Sequence, residues 1–125
     1  MALRRVITVI DDDESVRRSL PLWLKQFGFA ARVFSSATEF LASDALAESS
    51  CLILDVRMPE MSGPDLQREL KRRRRALPII FITASPDEGV RQPLIKQGAV
   101  ECLLKPFTET ALCEALDAAL KTTRH

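Results

Sequence analysis

The sequence predicts an α/β protein built on a parallel sheet with helices packed on both faces. Two observations carry this. Four short, near-continuous apolar runs, at Val6–Ile10, 51–54, 79–82 and 102–104, have the β-branched and aliphatic character of strands buried on both sides. Between them lie segments whose apolar residues recur at helical spacing, so strand and helix alternate five times, with right-handed crossovers expected.

After the first strand, Val16, Leu20, Trp23, Leu24 and Phe27 recur at i, i+4, i+7, i+8 and i+11 and form one apolar stripe, and Gly28 supplies a stop. Pro21 falls inside this helix, where it removes a backbone bond at a cost of roughly 3 kcal/mol, and predicts a kink near 17–19. The run at 31–34 alternates and reads as an edge strand. A second helix opens at Ser36, with Glu39 three residues on in the capping-box pattern. The third strand runs into Asp55. The next helix has Pro64 in its first turn and Leu66 and Leu70 on one face. After the fourth strand a helix is expected over 88–98, which Pro93 in its middle makes short or irregular, or else cuts down to a helix over 93–97 that starts at the proline. The last helix runs from Thr108 and buries Leu112, Ala115, Leu116, Ala119 and Leu120.

At 125 residues the chain, 1–125, is expected to be one domain with a core of its own. Hydrophobic residues make up 46% and charged ones 28%, the balance of an ordinary globular protein, and a formal net charge of +1 predicts no strong attraction to nucleic acid or to an anionic membrane. The run Lys71-Arg72-Arg73-Arg74-Arg75 is the local exception; it reads as a solvated helix end, where cations suit the dipole. Cys51, Cys102 and Cys113 lack metal-ligand spacing and read as buried reduced thiols. With no cleavage-site pattern at the start and no apolar stretch near the roughly 18 residues of a membrane span, a cytoplasmic location is expected.

In an open α/β sheet, ligands bind beyond the carboxyl ends of the strands. Asp11, Asp12, Asp13 and Glu14 follow the first strand, Asp55 the third, Thr83, Ala84 and Ser85 the fourth, and Lys105 and Pro106 the fifth. Asp13 alone is placed to cap the first helix. Three consecutive aspartates exceed that need, and their repulsion asks for a cation. With Asp55 they offer the oxygen ligands that Mg²⁺ prefers. Thr83 and Lys105 add a hydroxyl donor and a positive charge, the equipment for holding a phosphoryl group on a carboxylate nucleophile.

The segments "VIDDDESVRRSL", "LDVRMPEMSG", "ITA" and "LLKPF" resemble the signature segments of the receiver domain of two-component response regulators. They are most similar to the transcription-factor group that carries a C-terminal helix-turn-helix output domain. The likeness covers essentially the whole chain. It implies a flavodoxin-like (βα)5 three-layer sandwich with a five-stranded parallel sheet in the order 2-1-3-4-5. It also implies phosphoryl acceptance at Asp55 from a sensor histidine kinase. Mg²⁺ would be held by Asp12, Asp55 and the backbone carbonyl of Arg57, with Asp11 joined through a water. Thr83 and Lys105 would contact the phosphoryl oxygens, and the Lys105-Pro106 bond would be cis. The domain would then be no enzyme beyond its own phosphorylation and dephosphorylation. It would form a phosphorylation-dependent homodimer, make no direct nucleic-acid contact and act on transcription through an output domain beyond this chain. Three positions depart from the pattern: Cys102 stands where the family usually carries an aromatic or histidine switch, Pro93 interrupts the helix after the fourth strand, and Pro21 interrupts the first helix.

Rival readings meet specific obstacles. The acids after the first strand also resemble the nucleophile motif of haloacid-dehalogenase-type phosphatases. That fold needs a second acidic pair, and past Lys105 there are only Glu109, Glu114 and Asp117, all in the last helix. A flavin-mononucleotide binder would need a Ser- and Thr-rich first loop, whereas this acidic loop repels phosphate. A receiver-like scaffold that is never phosphorylated would have no use for Asp55, Thr83 and Lys105 together.

Overall fold

The structure, a computed structural model, describes residues 4–84 and 88–121. Its elements run β1 (Val6–Ile10), α1 (Glu14–Gln26), β2 (Ala30–Phe34), α2 (Ala37–Leu41), α3 (Ala45–Glu48), β3 (Ser49–Asp55), α4 (Gly63–Arg72), β4 (Ile79–Thr83), α5 (Glu88–Lys96), β5 (Glu101–Leu104) and α6 (Glu109–Lys121). The strands form one parallel sheet in the order β2-β1-β3-β4-β5, the flavodoxin-like order that the resemblance implied. The alternating run 31–34 is indeed an edge, and no described helix is long and apolar enough to cross a membrane.

Each central strand feeds two cores. On β3, Leu52 and Leu54 pack with Phe40, Leu66 and Phe81 on the side of α2, α4 and α5, while Cys51 and Ile53 pack with Leu24, Ile80 and Leu116 on the side of α1 and α6. This is why the apolar runs are continuous rather than alternating. Full burial of each such side chain stabilises by roughly 1.5–3 kcal/mol.

The helix starts follow their side chains. Ser36 Oγ accepts from Glu39 N at 3.1 Å, and Glu39 reaches back to Ser35 N rather than to Ser36. At α4, Ser62 and Asp65 make the full reciprocal box ahead of Pro64. Thr108 Oγ1 accepts from Ala111 N at 3.0 Å and opens α6. Gly28, at φ 95°, closes α1 in a left-handed turn.

Helix α1 runs through Pro21, as expected, and buries Leu20 and Leu24 against the core. Two expectations need correction. Helix α5 begins at Glu88 and carries Pro93 in its interior instead of starting there; buried Leu94 secures it. The second helix, whose end the sequence left open, stops at Leu41, and a separate turn, α3, precedes β3. Cys51 and Cys102 are buried as expected, but Cys113 is exposed on the outer face of α6. Ser85, expected on the rim after β4, lies outside the described residues.

Candidate functional site

Strand register assembles the site. Ile10 is the partner of Leu54, so the next residues, Asp11 and Asp55, come side by side. Asp55 in turn is the partner of Ile82, and Thr83 of Leu104, which brings Lys105 to the same rim. Asp55 and Thr83 are the last residues of their strands, so rigid backbone fixes both. Lys105 N donates to Thr83 O at 2.7 Å, and the Lys105-Pro106 bond is cis. Beyond it, Phe107 meets Trp23 of α1 edge-on, with ring centroids 6.1 Å apart, and anchors the loop that carries the lysine.

The four acids of the first loop divide their work. Asp13 caps α1: its Oδ1 accepts from Ser15 N at 2.9 Å and Ser15 Oγ at 2.8 Å, and these bonds hold its carboxyl below the usual carboxylate range. Asp11 is fully buried, and its Oδ1 accepts from Asp13 N at 2.9 Å. Lys105 Nζ lies 2.9 Å from Asp11 Oδ2 but outside hydrogen-bond alignment, so this buried oxygen has a charge neighbour and no hydrogen-bond partner. Asp12 is exposed, and one oxygen each from Asp11, Asp12 and Asp55 fall within 4.8 Å of one another.

Asp55 is 7% exposed, and its closest cation, Lys105 Nζ, stands 3.7 Å away. Burial, then the charge of Asp11, push its carboxyl up to about 7 against the opposing pull of Lys105. Burial alone would lower the Lys105 pKa, yet the close ion pair with Asp11 and the charge of Asp55 leave it raised, so the ammonium stays charged.

Asp12, Asp55, Arg57, Thr83 and Lys105 line one open cleft at the carboxyl edge of the sheet, with Asp11 beneath it. Asp11, Asp12, Asp55, Thr83 and Lys105, singled out in the sequence, therefore converge, and the Arg57 side chain stands in solvent. Two supports were not foreseen. Arg17 Nη1 donates to the Asp11 carbonyl at 2.9 Å, tying the acidic loop to α1, and nothing in the sequence marks it. Gly63 sits so tightly behind the site that an added Cβ would collide with the Asp55 carbonyl oxygen and come 2.8 Å from the Phe81 ring.

The donor set fits a small divalent cation: three carboxylates face one another, and one buried oxygen has no hydrogen-bond donor of its own.

Comparison with known proteins agrees with this geometry. The response regulator receiver domain profile matches residues 7–117. The chain is 46% identical over 116 residues to the response regulator protein TodT of Pseudomonas putida, covering 93% of this chain and 51% of that protein. It is 38% identical over 113 residues to the transcriptional regulatory protein FixJ of Rhizobium meliloti, covering 90% of this chain and 55% of that one. It thus spans about half the length of these relatives. The crystal structure of FixJ-N superimposes with a TM-score of 0.88 at 35% identity, covering 99% of both chains. With the 2-1-3-4-5 sheet, the acid cleft and the profile match in agreement, the chain belongs to the response regulator receiver domain family of two-component signalling.

Proposed function

We propose that Asp55 accepts a phosphoryl group from the phosphohistidine of a sensor kinase, and that the resulting state changes self-association and, through an output domain, transcription. The observation that carries this is a nearly buried strand-end carboxylate with one ammonium 3.7 Å away and two further carboxylates around it. An Asp55 oxygen attacks phosphorus, the P–N bond to the donor imidazole breaks with its electron pair returning to nitrogen, and an acyl phosphate remains on Asp55. The Lys105 ammonium, held in place by Asp11, offsets charge on the incoming oxygens, and the Thr83 hydroxyl donates to one of them. Asp12, Asp55 and the Arg57 carbonyl would hold Mg²⁺, with Asp11 acting through a water. When bound, Mg²⁺ supplies the positive charge that three carboxylates and a phosphoryl group require.

The charge change at the cleft would then bias a pre-existing equilibrium of α5, β5 and α6. Cys102, buried on β5, has no ring to swing, so this reading assigns no aromatic relay to that position. The name of one relative, the transcriptional regulatory protein FixJ, supports an output in transcription.

The test is incubation with acetyl phosphate and Mg²⁺ followed by intact mass. Wild type is expected to gain one phosphoryl group and Asp55→Ala none. No added mass, or mass that survives Asp55→Ala, would overturn the reading. A chromogenic phosphate ester should not be turned over; turnover lost on Asp11→Ala would point to the phosphatase instead.

A further inference from the structure

The acid cleft leaves the run at 71–75 unused, and the structure gives that run a setting which a solvated helix end does not need. Helix α4 closes with Arg74 N on Lys71 O at 3.0 Å and Arg75 N on Leu70 O at 2.9 Å, around Arg74 at φ 58°. Helices α1 and α5 close the same way around Gly28 and Gly98, so Arg74 occupies the position at which the other two carry glycine. Arg72 and Arg73 are paired with Glu69. Among the described residues, Lys71, Arg74 and Arg75 have no carboxylate within ion-pair distance; Lys71 Nζ bonds only the neutral Gln97 amide, at 3.1 Å.

Two of these three cations, Lys71 and Arg75, overlook a groove of about 660 Å³ between α4, α5 and α6. Its floor is aliphatic, made by Leu70, Leu77, Pro78, Ile79 and Val100, and none of the described residues lining it carries a carboxylate. It sits at the amino end of the sheet. The five residues of β4 separate it from Thr83 at the acid cleft by roughly 13 Å.

We propose that this groove is a docking site for an acidic peptide segment that carries aliphatic side chains. Charge complementarity sets the sign of the partner, since uncompensated cations meet a wall without acids. The aliphatic floor argues against a nucleic-acid backbone, which would leave that surface unfilled. The cations run on past the groove to Arg74, farther than a small organic acid would use. A peptide would place aliphatic side chains on the floor and carboxylates against Lys71, Arg74 and Arg75.

The probe is a dye-labelled synthetic peptide of alternating leucine and glutamate, followed by fluorescence anisotropy on the wild-type chain. Saturable binding is expected. It should weaken by about tenfold or more in the double variant Lys71→Glu/Arg75→Glu, which removes the charge complement. Ala118→Trp, which fills the groove from an exposed position on α6, should weaken it to a similar degree, about tenfold. Polyglutamate and single-stranded DNA should each bind at least about tenfold more weakly than the peptide. Asp55→Ala should leave peptide binding unchanged, so failure here and failure of phosphoryl acceptance are read separately. Circular dichroism confirms that each variant is folded. Absence of saturable binding, insensitivity to Ala118→Trp, or DNA binding as tight as the peptide would each overturn the proposal.

Discussion

Asp55 is kept ready at a cost to the fold. It is nearly buried beside fully buried Asp11, and Lys105 sits closer to Asp11 than to Asp55, at 2.9 Å against 3.7 Å. Like charges so placed destabilise the folded chain unless a cation joins them. In the presence of a chelator, Asp55→Asn is therefore expected to raise the melting temperature by about 4 °C, an effect on the order of 1 kcal/mol. Mg²⁺ should raise the melting temperature of wild type and not that of the variant. An unchanged or lower value for the variant in chelator would contradict this. Asp11, Asp12, Asp55, Thr83 and Lys105 were legible in the sequence because each stands at the end of an apolar run, and the family segments carry the same residues. Arg17 on the Asp11 carbonyl and Gly63 against the Asp55 carbonyl were not, because each contact is made to a backbone carbonyl whose direction is set only in the folded chain.

Among the elements, two helix starts were legible and a third was not. Ser36 caps and Thr108 opens the last helix where their short-range patterns placed them, since a cap depends on three or four consecutive residues, whereas the cap at Ser62 had not been singled out. Pro21 and Pro93 disrupt helices locally by roughly 3 kcal/mol, but Leu20, Leu24 and Leu94 are buried on those same helices at roughly 1.5–3 kcal/mol each, so packing outweighs the break. That balance is tertiary and has no short-range signature. The end of α4 provides its own test. Arg74 holds a left-handed conformation that glycine adopts without strain, so Arg74→Gly is expected to stabilise the protein by about 1 kcal/mol in urea unfolding. A loss of stability would show that the Arg74 side chain, rather than its backbone, holds the turn.

Across the whole molecule, strand order and the sharing of one rim by all candidate residues followed from alternation and resemblance; the path from the cleft to an output did not. Cys102 is the register partner of Phe81 and packs in the core shared with α5. If the proposed switching needs no side chain at that position, Cys102→Ala should leave phosphorylation-dependent association, followed by light scattering, nearly unchanged. Complete loss of the response would give the thiol a part in it. The formal charge of +1 also conceals how the charge is laid out. Among the described residues, an acid cluster lies at the carboxyl edge of the sheet and cations without a carboxylate partner lie at its amino edge. A charged partner would feel a torque before it touches either end, and it would arrive already turned toward the edge it fits.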